Sequence, residues 1–282
     1  MEISRRRRTT NAVMLTLSGL CALLVVSVLF FILGYLLWNG ATSLSWNFFT
    51  KLPKPIGETG GGMANAIVGS GKILLIATLV GVPLGFLAGV FVAEFSGKTF
   101  AFLLRYTVDL LNGVPSIVIG IVAYALVVKP MGHYSTLAGG IALGIMMIPI
   151  AVRTTEEFLR AIPNSLREGA MALGATKSKA VFTVIVPAAI SGLTSGMMLN
   201  LARVAGETAP LLFTALGNMF WSPGWLHPSA SLPVMIYNYA IAPDDNLHSQ
   251  AWAAGFVLLA LVLSINVTAR MIIARGPASA RR

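Results

Sequence analysis

Two residues of opposite charge, Arg203 and Glu207, stand four positions apart at the end of a long apolar run. Charges at membrane depth are costly, so such residues normally face a cavity or each other. The planar guanidinium of arginine stays charged and matches the oxygens of an oxyanion. The spacing leaves two interpretations open. Either Arg203 contacts an anionic substrate while Glu207 orients it, or the two residues form an ordinary ion pair that closes a helix.

A second candidate for anion contact is Val114-Pro115-Ser116, which follows Asn112. A proline leaves backbone donors free, and the N-terminus of a helix favours an anion. Ser116 can then contribute a hydroxyl and a backbone N–H to a substrate path, with Asn112 close by. The alternative is that Asn112 and Asp109 simply cap the N-terminus of a helix.

The polar segment 153–179 carries the signals of a short helix. Ser165-Leu166-Arg167-Glu168 has the form of a capping box, Gly174 stands where a left-handed terminator is expected, and Thr176 can cap the next helix. Leu166, Ala170 and Leu173 fall on one face. This helix is predicted either to pack on its own bundle or lipid, or to dock a partner. The charges available to a partner are Glu156, Glu157, Arg160, Arg167 and Glu168.

Other patterns predict no chemistry in this chain. Gly69-Ser70-Gly71-Lys72 lacks the glycine at position 66 and the Ser or Thr at position 73 that a phosphate-binding loop requires, so energy must come from a partner. The single cysteine, Cys21, cannot build a disulfide framework. The histidines lack metal-ligand spacing: His133, His227 and His248. We expect no ATP site, no bound cofactor, no metal and no enzyme activity.

The composition indicates an integral membrane protein. Of 282 residues, 56% are hydrophobic and 11% are charged, whereas a soluble domain has about 25% charged residues. The mean hydropathy is +0.80. One soluble core stops growing at roughly 250–300 residues and cannot hide so much apolar surface. The net charge is +10, and the basic residues lie at the edges of apolar runs. This distribution argues against a nucleic-acid-binding protein and fits orientation in a bilayer.

Six uncharged apolar runs approach or exceed the roughly 20 helical residues that cross a bilayer. They are residues 13–38, 73–93, 110–128, 135–152, 180–202 and 251–269. The first exceeds the ~7–15-residue apolar region of a signal peptide, so we expect it to be a retained anchor. The prediction is an all-α membrane protein with six transmembrane helices and a core domain at 73–269.

Lysine and arginine are distributed unequally between the two sides of these spans. With the N-terminus inside, 15 lie on the inner side and 5 on the outer side, and the cytoplasmic side carries such an excess. Both termini, 1–12 and 270–282, and segment 153–179 are therefore predicted to be cytoplasmic. Segments 39–72 and 217–250 are predicted to be outer loops.

Small residues and prolines predict how the helices pack. Glycines at four-residue spacing let helices approach closely, and they are Gly81, Gly85 and Gly89, then Gly140 and Gly144, then Gly192 and Gly196. Prolines in or near the spans predict kinks, and they are Pro83, Pro115, Pro149 and Pro187.

The polar segment resembles the EAA loop of bacterial ABC importer permeases. The matching residues are Glu168-Gly169-Ala170, then Gly174, then Val184-x-Val186-Pro187. Gly169 stands for the first alanine of that pattern, and the two valines stand for isoleucine and leucine. Three further stretches are similar to the PstA-type permease subunit of inorganic-phosphate importers: residues 60–66, 114–118 and 203–212.

This resemblance implies a MetI-like fold and transport of phosphate across the bacterial inner membrane by alternating access. It implies a PstC-type second permease, two PstB-type ATPase subunits that use ATP and magnesium, and a PstS-type external binding protein. The resemblance assigns contact with the ATPase subunits to Glu168, Gly169, Ala170, Gly174, Arg167 and Pro187. It also favours substrate contact for Arg203. The alternatives are a permease for sulfate or molybdate, a non-conducting receptor and, less favoured, an intramembrane enzyme.

The charge asymmetry generates a test of topology. In intact cells, a membrane-impermeant thiol reagent is expected to modify Asn246→Cys, which lies in a predicted outer loop. It is expected not to modify Ser178→Cys, which lies on the cytoplasmic side until the membrane is opened. The reverse labelling pattern would overturn the orientation.

Overall fold

The computed structural model describes residues 5–58 and 60–274, and that part of the chain is all-helical. Predictions for residues 1–4, 59 and 275–282 lie outside the described residues. The helices are α1 Arg5–Ser43, α2 Trp46–Thr50, α3 Ala64–Phe95, α4 Lys98–Gly113, α5 Ser116–Met131, α6 Thr136–Arg160, α7 Asn164–Ala172, α8 Lys177–Ala205, α9 Ala209–Thr214, α10 Leu232–Ala240 and α11 Asp245–Ala274.

Five of these helices, α1, α3, α6, α8 and α11, are long and apolar enough to cross a membrane. Helices α4 and α5 are long and apolar enough only when taken together, and their axes meet at 100°. The count reaches six when this bent pair is taken as one broken span. The membrane architecture is thereby confirmed.

The third predicted span, 110–128, is wrong as one continuous helix. Helix α4 ends at Gly113, Val114 is extended with ψ of 130°, and α5 starts at Ser116. The cause is Pro115, whose ring disfavours helical backbone at the residue before it. Asn112 and Asp109 consequently lie in α4 and do not cap α5, whose N-cap is Pro115 itself.

Several helices are longer than the apolar runs that predicted them. Helix α3 begins nine residues before position 73, α6 continues from position 152 to Arg160, and α11 begins six residues before position 251. The predicted loops 39–72, 153–179 and 217–250 are correspondingly shorter. Hydropathy marks the apolar stretch, whereas a helix ends where its terminal backbone groups are capped.

The tightest packing in the bundle joins α3 to α6, as the glycine spacing predicts. A Cβ on Gly81 would lie 2.5 Å from the Cβ of Met147, and one on Gly89 would lie 2.7 Å from the carbonyl oxygen of Val152. Conversely, the side chain of Ile76 on α3 packs against Gly140 of α6, where a larger residue would clash with it. Helix α8 packs on α6 in the same way, because Gly192 meets the Phe158 ring.

Three helices contain a π turn: Phe91–Phe95 in α3, Tyr124–Val128 in α5 and Val181–Ile185 in α8. Two of these turns stand just before a proline, Pro130 and Pro187. Proline cannot donate the usual helical hydrogen bond, and the backbone N–H before it shifts to the carbonyl five residues back.

The core is divided into three clusters along the bundle. One cluster joins α2, α3, α10 and α11, a second joins α3, α6, α8 and α9, and a third joins α3, α6 and α8 where α3 and α6 end. Helix α1 packs mainly on α11, where the Tyr35 and Trp252 rings meet edge to face with centroids 5.2 Å apart. Residues 7–32 of α1 are exposed, as a lipid-facing helix requires.

The segment between α9 and α11 is ordered by polar contacts. The backbone N–H groups of Thr136 and Leu137, at the start of α6, donate to carbonyls of His227 and Trp225 at 2.9 Å each. Asp244 accepts from the N–H of Asn246 at 2.8 Å and of Gly57 at 3.2 Å. These two backbone N–H groups hold the pKa of the Asp244 carboxyl below its ordinary value.

The glycine seam is testable with a matched pair on α3. Gly85→Ala is expected to destabilise the bundle by about 1–3 kcal/mol, the cost of overpacking, because the new Cβ would lie 2.9 Å from the Ile148 carbonyl oxygen. Gly71→Ala meets no atom within 4 Å and is expected to cause no loss. Thermal unfolding of both variants in one detergent measures the difference, and equal midpoints would contradict the packing argument.

Candidate functional site

Helix α7 begins differently from the predicted capping box. The helix starts at Asn164, so Ser165 already lies in its first turn, and the N-cap is Pro163 without a side-chain hydrogen bond. The predicted reciprocal bonds of Ser165 and Glu168 are therefore wrong. Pro163 displaces the boundary because its φ is preset near the helical value and the helix can start directly after it.

The end of α7 follows the prediction. Gly174 has a left-handed φ of +82°. Its N–H donates to the Met171 carbonyl at 2.9 Å, while the Ala175 N–H donates to the Ala170 carbonyl at 3.2 Å. This is a Schellman motif, in which a glycine at the left-handed position closes the helix. Thr176 then caps α8 by accepting from the N–H of Lys179 at 3.4 Å.

The apolar face of α7 points away from the bundle. No residue of this helix is buried, and Leu173, which directly follows it, is 91% exposed. Glu168 and Gly169 are exposed too, and Ala170 is half-buried. Pro187, the other predicted coupling residue, is exposed near the start of α8. The apolar face of α7 therefore does not pack on its own bundle, which leaves it free for lipid or for a partner.

Arg167 is the exception, because its guanidinium turns into the protein. Two of its nitrogens donate to Glu94 at 2.6 and 3.0 Å. One of these two nitrogens, Nη2, also donates to the Leu159 carbonyl, and the third nitrogen, Nη1, donates to the Ile162 carbonyl, both at 2.6 Å. Arg167 therefore binds the ends of α3 and α6 and does not offer its charge at the surface.

A second charged cluster surrounds Glu156 on α6. Its side chain is 4% exposed, with nitrogens of Arg105 at 2.6 Å, Arg160 at 3.0 Å and Arg153 at 3.7 Å. The prediction that Glu156 is available to a partner is wrong, because three arginines already enclose it. Glu157, one residue on, remains exposed with Arg153 at 3.5 Å.

Arg203 lies in the last turn of α8 with its side chain exposed. The helix ends at Ala205, so Glu207 belongs to the short link before α9. Among the described residues, no ion pair within 4 Å joins Arg203 to a carboxylate. The predicted helical pair with Glu207 is wrong, because Gly206 ends the helix before Glu207 completes the turn.

Ser116 and Glu207 border the same packing contact. A Cβ on Gly120, one turn after Ser116 on α5, would lie 2.8 Å from the Cα of Pro210, three residues after Glu207. The bend before α5 and the end of α8 thus belong to neighbouring segments. Asn112 stands on the other side of the bend and is exposed.

Sequence reasoning missed two buried polar residues, Glu94 and Asn200, and misjudged a third, Glu156, which it had assigned to a partner. Glu94 and Glu156 anchor the arginine clusters, and the Asn200 amide donates to the Met147 carbonyl at 2.9 Å across α8 and α6. Two of them left a signal: Glu94 directly follows the second apolar run, and Asn200 is the one amide in run 180–202. The discarded stretch Gly69–Lys72 lies inside α3, so its backbone forms no phosphate-binding loop.

Comparison with protein families matches residues 81–275 to the binding-protein-dependent transport system inner membrane component. A phosphate transport system permease protein PstA of Yersinia pestis is 42% identical over 95% of this chain and 92% of its own length. The corresponding protein of Haemophilus influenzae is 41% identical over 94% of both chains. A probable PstA of Methanocaldococcus jannaschii is 34% identical over 94% of both.

Two solved structures share the fold at low identity. The MetNI methionine ABC transporter in inward-facing conformations contains a chain with TM-score 0.58 and 20% identity, which covers 74% of this chain and 92% of its own. A bacterial ABC transporter involved in the import of the acidic polysaccharide alginate gives TM-score 0.61 at 14% identity over 95% and 99%. The predicted MetI-like permease fold is confirmed.

Proposed function

The chain belongs to the family of binding-protein-dependent transport system inner membrane components, and we propose that it is the permease subunit that carries inorganic phosphate in an ATP-driven importer. It is a multi-pass protein of the inner membrane. The observation that supports phosphate as the substrate is the Arg203 guanidinium, which has no carboxylate within 4 Å among the described residues, in a chain 42% identical to a phosphate transport permease.

The substrate path runs, in this proposal, past the ends of two interrupted helices. Non-helical backbone at membrane depth is tolerated only where protein buries it or where it lines a water-filled cavity. The bend before Ser116 and the link at Gly206–Thr208 are such interruptions, and the Gly120–Pro210 contact brings their segments together. Arg203 adds a fixed positive charge there, which offsets the free-energy cost of removing water from an anion.

Energy reaches the permease through α7 in this proposal. ATPase subunits grip its exposed face, which presents Glu168, Gly169 and Leu173, and a second permease and an external binding protein complete the importer. Both termini and α7 then lie in the cytoplasm, with the segment between α9 and α11 outside. Partner subunits bind and hydrolyse the ATP, and this chain contributes the path.

Docking is testable at the Schellman glycine. Gly174→Ala places a Cβ at a φ of +82°, which costs roughly 1–2 kcal/mol and distorts the end of α7. We expect ATPase co-purification to fall while the permease still inserts. The control is Gly71→Ala near the start of α3 and outside α7, which meets no atom within 4 Å and is expected to keep the ATPase. Normal co-purification of both variants would exclude α7 as the docking element.

Transport is testable at Arg203. Arg203→Gln is expected to abolish phosphate uptake per assembled complex in proteoliposomes, because it removes the positive charge that we propose to contact the anion. Arg203→Lys keeps the positive charge but loses the planar guanidinium, whose N–H groups can bind two oxygens at once, and is expected to retain partial uptake. Glu207→Gln is expected to be mild, since no ion pair is lost.

The control is Lys129→Gln, which removes another exposed positive charge at the end of α5 and is expected to transport normally. Normal uptake per complex in Arg203→Gln, with reduced yield, would assign Arg203 a structural role. Competition by sulfate or molybdate stronger than by phosphate would instead identify a different oxyanion as substrate.

A further inference from the structure

Arg167 connects three helices through one side chain. It sits on α7 and holds both carboxylate oxygens of Glu94 on α3, with Nη2 donating to Oε1 at 2.6 Å and Nε donating to Oε2 at 3.2 Å. It also donates to the carbonyls of Leu159 in α6 and of Ile162, just past the end of α6, at 2.6 Å each. Carbonyls at a helix C-terminus lack partners within the helix. Arg167 therefore binds a carboxylate and two carbonyls at the end of α6, of which the Leu159 carbonyl also accepts from the Ile162 N–H at 3.3 Å.

The pair is shielded from water, so its contacts are strong. The Glu94 side chain is 5% exposed and the Arg167 side chain 18%. Two-point arginine–carboxylate contacts fix both distance and angle, and losing one partner leaves a buried charge uncompensated. The link is thus geometrically rigid and costly to break.

Glu94 occupies an unusual backbone position. It lies in the π turn Phe91–Phe95 that ends α3, and the Ser96 N–H closes that turn on the Phe91 carbonyl at 2.9 Å. Π turns inside helices often mark functional sites. The turn places Glu94 opposite α7, whereas its neighbour Val92 enters the bundle and is buried.

No residue of α7 is buried. Within the described part of the chain, Arg167 is the side chain by which this helix bonds to another element, since Asn164 bonds only to Arg167 itself. A displacement of α7 therefore reaches α3 through this contact, and it reaches α6 both through this contact and through the three-residue link 161–163.

We propose that the Glu94–Arg167 pair is the mechanical link of the permease, which converts movement of α7 into movement of α3 and α6. The proposal rests on the proposed function, in that ATPase subunits move α7. It changes the role of Arg167: this arginine is a positioning residue that carries displacement inward, and it makes no contact with the ATPase.

The chain contains a matched control. Arg105 of α4 reaches Glu156 of α6 at 2.6 Å, with equally buried carboxylates in both pairs. That pair does not involve α7, and Glu156 keeps Arg160 at 3.0 Å when Arg105 is changed. Arg105→Gln therefore removes a similar ion pair without touching the proposed link.

The first experiment measures phosphate imported per ATP hydrolysed by the reconstituted complex. Glu94→Gln and Arg167→Gln are expected to lower this ratio about tenfold with the ATPase still bound, and the double variant is expected to be no worse than the more affected single variant. Arg167→Lys, which keeps one contact, is expected to fall between. Arg105→Gln is expected to keep the wild-type ratio.

Two outcomes would overturn the proposal. If Arg167→Gln releases the ATPase and Glu94→Gln does not, Arg167 is a docking contact. If uptake and ATP hydrolysis fall together in proportion to assembled complex, the pair only supports folding.

The second experiment uses neither phosphate nor ATPase. A spin label at Ser165→Cys, in full-length permease with Cys21→Ala in lipid nanodiscs, reports the mobility of α7. Mobility is expected to rise with Glu94→Gln and Arg167→Gln and not with Arg105→Gln. Unchanged mobility in all variants would contradict the link, whereas a wild-type complex that imports no phosphate would contradict the proposed function instead.

Discussion

The close approach of α3 to α6 is the constraint on which the rest of the bundle depends. Gly81, Gly85 and Gly89 bring one backbone against the other, so carbonyl and Cβ atoms of α6 lie where side chains would otherwise stand. In lipid there is little hydrophobic gain from helix association, and stability comes from such packing. Because α3 and α6 form one rigid pair, their ends remain in register, and Glu94 can share Arg167 with the end of α6.

The same rigidity explains how charges are tolerated at that end. Four basic residues counted toward the inner excess, Arg105, Arg153, Arg160 and Arg167, are all within 4 Å of carboxylates. These arginines favour insertion with this side in the cytoplasm, and in the folded protein they also form ion pairs. A count of lysine and arginine thus predicts the direction of insertion without showing which charges remain available to a partner. Glu168 remains exposed, while Glu156 and Arg167 do not.

The sequence predicted features that depend on neighbouring residues better than contacts between residues that are far apart in the chain. Apolar runs, the glycine seam and the terminator at Gly174 depend on local composition or backbone, and the structure confirms them. The capping box failed because Pro163, three residues before the hydrophobic stripe, set an earlier start. The third span failed because an apolar run continues across Pro115. The Glu94–Arg167 pair joins positions 73 residues apart, and no local pattern encodes which distant carboxylate an arginine will meet.

The two ends of the molecule are consequently built on opposite principles. Where α3 and α6 end, buried ion pairs and a closed Schellman motif remove freedom from the backbone. Around Ser116 and Gly206, helices stop and restart, and Arg203 has no carboxylate within 4 Å in the described part of the chain. Broken helices expose backbone dipoles and small adjustable segments, which suit the proposed path, where an anion must bind weakly and leave again. A rigid end that receives force and an interrupted region that changes shape are what alternating access requires, since displacement applied to a flexible link would be absorbed before it reached the path.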